Sequence, residues 1–136
     1  MGEALDWVVA APRTAKVGTV TASGFPHVAP VWVARDGDRL VFNTGASTVK
    51  GRALARDGRI SMCFDDETPP FGFVTIQGQA ELSEEPEALL HWATVIAGRY
   101  MGTDLAEQYG RRNGVPGELL VTVVPLRVIG ELRIAD

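Results

Sequence analysis

The sequence predicts a mostly β protein in the form of a small antiparallel β-barrel, closed or split. Most apolar residues fall in short runs that alternate with polar residues, and Gly, Pro and Asp residues separate these runs as they do in turns. Few segments have helical spacing, which excludes the strand and helix alternation of a parallel α/β sheet. With 136 residues, 46% of them hydrophobic and 22% charged, we expect a single domain over residues 1–136.

The first third of the chain is predicted to form one helix and three strands. Leu5, Val8 and Val9 recur at helical spacing and stop before Pro12, where a helix is expected to end. Beyond Pro12 the apolar period changes to two, and turns are expected at 23–26 and 36–38. The predicted elements are a helix over 3–11 and strands over 16–22, 27–35 and 39–44.

The rest of the chain is predicted to combine three helices with four strands. The helix predicted over 49–56 contains strong helix formers and is followed by Asp57 and Gly58. Apolar residues from Leu89 to Tyr100 recur on one helical face, and Ser83 is the expected N-cap of that helix. A further helix is predicted over 103–112, and strands are predicted over 59–65, 73–82, 118–124 and 127–134.

Charge and composition exclude several classes of function. The 13 basic and 17 acidic residues give a net charge of −4, which argues against a nucleic-acid partner because phosphate contacts need clustered Lys and Arg. No stretch approaches the roughly 18 apolar residues of a membrane span, and the acidic start is unlike a signal peptide. We therefore expect a cytoplasmic protein with no membrane partner.

The residues that usually carry chemistry are scarce. Cys63 is the single cysteine, and His27 and His91 are the two histidines, so neither a disulfide nor a metal site is expected. His27 begins a predicted strand and is a candidate proton donor, although a single histidine there is more often an ordinary surface residue. We expect that a bound cofactor supplies the chemistry and that no side chain is catalytic.

The segment 44–56 differs from the rest of this acidic chain, because it carries the cations Lys50, Arg52 and Arg56 and no acid. Two of these cations fall in the first turns of a predicted helix, where the helix dipole disfavours them by about 0.3–1 kcal/mol each. The free N–H groups of that helix start, together with nearby hydroxyl groups, suit a phosphate-sized anion. The alternative interpretation is a solvated basic helix face with no ligand.

Four stretches of the sequence resemble one known family. They are the predicted strand 27–35, 40–54 (LVFNTGASTVKGRAL), 58–61 (GRIS) and 73–82 (FVTIQGQAEL). Together they resemble the flavin-binding split barrel of pyridoxamine 5′-phosphate oxidase-like proteins, over about 16–130 of this chain. The resemblance implies an antiparallel split β-barrel of the flavin-binding type. Within this family, the true pyridoxamine phosphate oxidases and their FMN-binding relatives have an Arg on the strand that corresponds to 27–33. This chain has HVAPVWV there, which counts against pyridoxamine phosphate as the substrate.

The short, helix-poor chain is more similar to the actinobacterial branch that uses the 8-hydroxy-5-deazaflavin coenzyme F-420. By this resemblance it would be an oxidoreductase that binds the reduced coenzyme and transfers a hydride to a small unsaturated or quinone-like substrate. Two alternatives stay open: an FMN-dependent oxidoreductase of the same fold, and a non-catalytic protein that binds a flavin, a deazaflavin or haem. The residues implied in cofactor binding are Pro30, Val31, Trp32, Asn43, Thr44, Ser47, Lys50, Arg52, Arg56 and Gln77.

A second copy of the chain is the expected partner. Sheets of this length leave edges and apolar faces that need cover, so we expect a homodimer that buries one side of the barrel. A cofactor at that interface would also receive side chains from the second chain. The candidates for this role are Trp92, Arg99, Tyr100, Arg111 and Arg112.

Overall fold

The computed structural model describes residues 1–135, over which the chain forms four helices and seven strands. The first half contains α1 (Gly2–Val9), β1 (Ala15–Val20), β2 (Pro26–Val31), β3 (Ala34–Asp36), β4 (Arg39–Gly45) and α2 (Val49–Arg56). The second half contains β5 (Arg59–Asp65), β6 (Phe73–Ser83), α3 (Pro86–Met101), α4 (Ala106–Asn113) and β7 (Glu118–Glu131). No helix within residues 1–135 is long and apolar enough to cross a membrane.

The strands form one antiparallel sheet in the order β2-β1-β5-β6-β7-β4-β3. The two edge strands, β2 and β3, are consecutive in the chain and are separated only by Trp32 and Val33. Three steps of extended chain span about 10 Å, so the two edges of the sheet must lie close to each other. The sheet is therefore curled on itself, and the predicted antiparallel split β-barrel is confirmed.

Alternate residues along each strand fill the inside of the barrel. In β4, Leu40 and Phe42 point inward and are fully buried, and α1 adds Leu5 and Val8 to the same core. Val41, between the two inward residues, points outward to the helices. A second, smaller core on that outer side packs α3 against β3, β4 and β7 and contains Ala34, Val41, Leu89, Ile96 and Leu120.

The single strand predicted over 27–35 is wrong, because the chain turns a corner at Trp32 and Val33. Two side chains of α3 bind the backbone of Val33 at this corner. Tyr100 Oη accepts the Val33 N–H at 3.1 Å, and Arg99 Nε donates to the Val33 carbonyl oxygen at 3.0 Å. These hydrogen bonds satisfy the Val33 N–H and carbonyl oxygen, which have no partner strand at this position. The chain can therefore leave the edge strand β2 and enter the other edge strand, β3.

The two strands predicted over 118–124 and 127–134 are also wrong, since both belong to the continuous strand β7. Its register shifts opposite Gln77 and Gly78, and Pro125 is accommodated at this bulge although it has no N–H to donate. At the start of α3, the N-cap is Glu85 rather than Ser83. The remaining predicted boundaries agree with the structure to within three residues.

Candidate functional site

A cleft of 370 Å³ lies among the end of β4, the start of α2, the β2–β3 corner and α3, and we call it the β4–α2 cleft. Six of the ten predicted site residues line it: Pro30, Val31, Trp32, Asn43, Thr44 and Lys50. The other residues that line it are Gly45, Thr48, Ala93, Ile96, Asn113 and Glu118. The predicted residues that line this cleft lie on β4, on α2 and between Pro30 and Trp32, and none of the ten lies on α3 or β7.

The turn that leads into α2 is held by hydroxyl groups. Thr48 is the N-cap: its Oγ1 accepts the Gly51 N–H at 3.1 Å and donates to the Gly45 carbonyl oxygen at 2.7 Å. Thr44 Oγ1 lies 3.3 Å from Thr48 Oγ1. Gly51 packs directly on the turn, since a Cβ there would lie 2.2 Å from the Gly45 carbonyl oxygen. The start of α2 is therefore fixed against the end of β4.

The three cations of α2 form no salt bridge within the part of the chain that the structure describes, whereas six other cations there do. The side chains of Lys50 and Arg52 also make no hydrogen bond within residues 1–135, whereas the Arg56 guanidinium donates to the backbone oxygen of Val20. Three residues after Arg56, Arg59 pairs with the neighbouring acid Asp57, as surface cations usually do. The α2 cations are thus available to an anion that is not part of the described chain.

Lys50 lines a different cleft from Arg52 and Arg56. Each residue of an α-helix is turned by about 100° from the last, so Lys50 and Arg52 lie on nearly opposite sides of α2. Lys50 lines the β4–α2 cleft, whereas Arg52 and Arg56 line a second cleft of 520 Å³ beside the β1–β2 turn, together with Thr21 and Ser23. The structure therefore separates cations that the sequence placed in one segment.

The β2–β3 corner provides an aromatic wall for the β4–α2 cleft. Trp32 stacks on Tyr100 with ring centroids 4.9 Å apart and an interplanar angle of 3°, and the indole is still 38% exposed. The Tyr100 hydroxyl group makes two hydrogen bonds: Oη donates to the Arg13 carbonyl oxygen at 2.6 Å and accepts a hydrogen bond from the Val33 N–H. The wall is therefore attached to the barrel and to α3 at once.

Glu118 is the acid that the sequence analysis missed in this cleft. Its Oε1 accepts a hydrogen bond from Asn43 Nδ2 at 3.2 Å, and the same amide group donates to the Asn113 carbonyl oxygen at 3.2 Å. Its Oε2 would lie 3.2 Å from a Cβ on Gly45. Segment 44–56 contains no acid, but β4 pairs with β7 and brings Glu118 opposite Gly45. No local pattern indicates that pairing.

Three other predicted residues lie away from the β4–α2 cleft. Ser47 is exposed in the turn before α2 and does not line the cleft. Gln77 lies on the outer face of β6, where it lines a third cleft of 600 Å³ with Ser61 and Arg127. His27 is half-buried on the edge strand β2, opposite Thr19.

The residues expected to complete the site of a second chain differ in how far they are engaged in their own chain. Besides binding Val33, Arg99 donates to the carbonyl oxygens of Val9 and Ala11, and Tyr100 is stacked on Trp32. Of these five residues, the two in α4, Arg111 and Arg112, are exposed. Arg111 forms a salt bridge with Glu107, and the Arg112 guanidinium lies over the Tyr109 ring. Trp92 is half-buried and contacts the His91 ring edge-on.

Fold and site together define a class of protein: an antiparallel split β-barrel with a cleft rich in hydroxyl and N–H groups at the start of its second helix. Residues 1–129 match the family described as pyridoxamine 5′-phosphate oxidase, and the chain belongs to that family. The family consists of split barrels that bind flavin-type cofactors, and it includes oxidoreductases. The family-level resemblance stated from the sequence is confirmed.

Solved structures with the same fold include proteins of several descriptions. The conserved hypothetical protein Rv2991 from Mycobacterium tuberculosis is 25% identical with a TM-score of 0.83, over 98% of this chain and 85% of that chain. A structure named F420 reductase is 20% identical with a TM-score of 0.71, over 91% of this chain and 94% of that chain. General Stress Protein 26 from Bacillus anthracis is 14% identical with a TM-score of 0.68, over 94% and 91% of the two chains. Among curated proteins no match was found.

Proposed function

We propose that the protein is a homodimeric oxidoreductase that binds reduced coenzyme F-420 in the β4–α2 cleft and reduces a small unsaturated or quinone-like molecule. One observation carries this proposal: most of the residues expected to contact the cofactor line a single cleft, in which the cation Lys50 has no partner among residues 1–135. Membership of a family that binds flavin-type cofactors supports the kind of ligand. The similarity to a structure named F420 reductase is the reason to test the deazaflavin before FMN.

The residues of the cleft fit a phosphorylated cofactor with a flat ring. The first turn of α2 offers N–H groups without intrahelical acceptors, and the Lys50 ammonium and the Thr44 hydroxyl line the same cleft. Trp32 offers an aromatic face for a ring. The volume of 370 Å³ is near the lower end of the range for ligand sites, about 300–1,000 Å³. A wall from another copy would enlarge and close such a site.

The chain's own contribution is to bind, orient and shield the cofactor. The bound deazaflavin supplies the hydride, so the protein needs no acid–base pair for that step. In the part of the chain that the structure describes, the ionisable side chains that line the cleft are Lys50 and Glu118, and neither is paired with a second ionisable group as a general acid and base would be. Lys50 and the start of α2 hold the phosphate in this proposal, and Trp32 limits the access of water to the ring.

A homodimer is supported by the outer face of the sheet. The strand registers place Val28, Gln77 and Ile129 on this face, and Val28 and Ile129 are 66% and 42% exposed. A second copy that covers this face would remove the exposed apolar side chains from water. Gln77 lies outside the β4–α2 cleft of its own chain, so in this proposal it contacts the cofactor of the partner.

The first experiment is a titration of the purified protein with coenzyme F-420, followed by deazaflavin fluorescence. We expect saturable quenching, and oxidation of the reduced coenzyme when a suitable unsaturated or quinone-like substrate is added. A protein that is yellow after purification, or that binds FMN and not the deazaflavin, would favour the FMN-dependent alternative. Binding without turnover with any oxidant would favour the non-catalytic alternative. Absence of binding to any of these ligands would refute the proposal.

Lys50 and Arg52 form a matched pair for locating the site, because both are cations of α2 whose side chains have no partner within residues 1–135 and that line different clefts. Lys50→Ala should weaken coenzyme binding about 10- to 150-fold, since a hydrogen bond to a charged group contributes about 1.5–3 kcal/mol. Arg52→Ala should change the dissociation constant much less, and both variants should unfold like the wild type. Equal losses in the two variants would show that the phosphate is not confined to the β4–α2 cleft.

A further inference from the structure

Glu118 places a fixed carboxylate beside the proposed phosphate site. It is half-buried at the start of β7, and its Oε1 is held by Asn43 Nδ2 at 3.2 Å. Its Oε2 lies against the turn at Gly45, the residue whose carbonyl oxygen Thr48 binds at the start of α2. The carboxylate and the first turn of α2 therefore border the same part of the cleft.

Among the described residues, the charged side chains that line the cleft are one cation, Lys50, and one anion, Glu118. Within residues 1–135 they form no salt bridge with each other, so each acts on a ligand in its own right. Lys50 attracts an anion in this cleft, and the Glu118 carboxylate repels it. The repulsion is about twice as large for a ligand group with two negative charges as for one with a single charge, and the lining within residues 1–135 offers no second cation to offset it.

We propose that Glu118 is a specificity-determining residue, which makes the cleft prefer a phosphodiester with one negative charge to a phosphate monoester with two. This inference rests on the proposed function, because it concerns the same cofactor site. The phosphate of the deazaflavin coenzyme is a diester. The phosphate of FMN is a monoester, and such groups carry about −1.5 to −2 charges at pH 7. Glu118 therefore selects between the two cofactors by charge at the phosphate, while the ring site accepts either.

The test compares dissociation constants for coenzyme F-420, FMN and riboflavin, measured by fluorescence quenching with the wild type and with Glu118→Gln. The Gln side chain keeps an oxygen for the Asn43 amide group and removes the charge. The ratio of the FMN constant to the coenzyme F-420 constant should fall about tenfold, which is the effect of about 1.4 kcal/mol of charge repulsion. Riboflavin has no phosphate, so its dissociation constant should not change.

Two further variants separate charge from shape. Glu118→Asp keeps the charge and should retain the preference for the diester, and Glu84→Gln removes an exposed acid outside the cleft and should behave like the wild type. An unchanged FMN to coenzyme F-420 ratio in Glu118→Gln would overturn the inference and leave the proposed function intact. Equal gains for all three ligands, riboflavin included, would also overturn it. If the wild type binds none of the ligands, both the inference and the proposed function fail.

Discussion

Tyr100→Phe removes one oxygen atom from the contact that fixes the β2–β3 corner. The phenol oxygen accepts the Val33 N–H at 3.1 Å and donates to the Arg13 carbonyl oxygen at 2.6 Å, and Val33 is fully buried. Two hydrogen bonds contribute about 1 kcal/mol each, and a buried N–H left without an acceptor costs more. We expect the free energy of unfolding to fall by about 2–3 kcal/mol, while the stack on Trp32 stays in place.

Urea unfolding followed by tryptophan fluorescence measures this loss. Tyr109→Phe is the matched control, because the Tyr109 hydroxyl group makes no hydrogen bond within residues 1–135. The free energy of unfolding of this variant should equal that of the wild type. The looser corner should also weaken coenzyme binding in Tyr100→Phe, since Trp32 lines the β4–α2 cleft. A Tyr100→Phe variant as stable as Tyr109→Phe would refute the reasoning that α3 holds the corner.

Three further predictions concern the start of α2 and the pH dependence of stability. Thr48→Ala removes the N-cap oxygen and should lower stability by about 0.5–2 kcal/mol in urea unfolding, with Thr48→Ser close to the wild type. Gly51→Ala, whose Cβ would lie 2.2 Å from a backbone oxygen, should abolish coenzyme binding and lower the melting temperature, whereas Gly98→Ala, with its nearest contact at 3.4 Å, should be tolerated. Arg13 hydrogen-bonds the Asp66 carboxyl at 2.8 Å and lowers its pKa below the ordinary value of 3.8. A carboxyl group whose pKa is lower in the folded than in the unfolded state stabilises the fold at pH values above its unfolded-state pKa. This contribution should therefore be lost as the pH falls below about 4, and Asp66→Asn should make acid unfolding less steep. Identical acid-unfolding curves for Asp66→Asn and the wild type would contradict the last prediction.

Several features could be predicted from short stretches of sequence. The alternation of Ile60, Met62 and Phe64 in β5 predicts a strand with one buried face, and the structure has the same bounds for it. The helix predicted over 49–56 is α2, since its helix formers and the stop at Asp57 are local signals. The family resemblance came from comparably short motifs. The sequence motifs alone indicate Lys50, Thr44 and the segment from Pro30 to Trp32 as cofactor-binding candidates, and these residues line one cleft.

Other features depend on segments that meet only after folding. The corner at Trp32 is invisible in the alternation of β2, because it depends on two side chains of α3. Gln77 lies in a different cleft from Lys50, which the motifs did not indicate. Glu118 belongs to the β4–α2 cleft only through the register of β4 with β7.

The sequence by itself determined four of the seven strands, the second helix, the cationic turn and the family of this protein. Each of these depends on the spacing and the backbone preferences of residues that lie within a few positions of one another in the sequence. Only the tertiary structure decided which cation enters the cleft, which acid opposes it and which aromatic ring forms its wall. Those choices depend on strand register and helix packing between distant segments, where a shift of one residue turns a side chain to the opposite face.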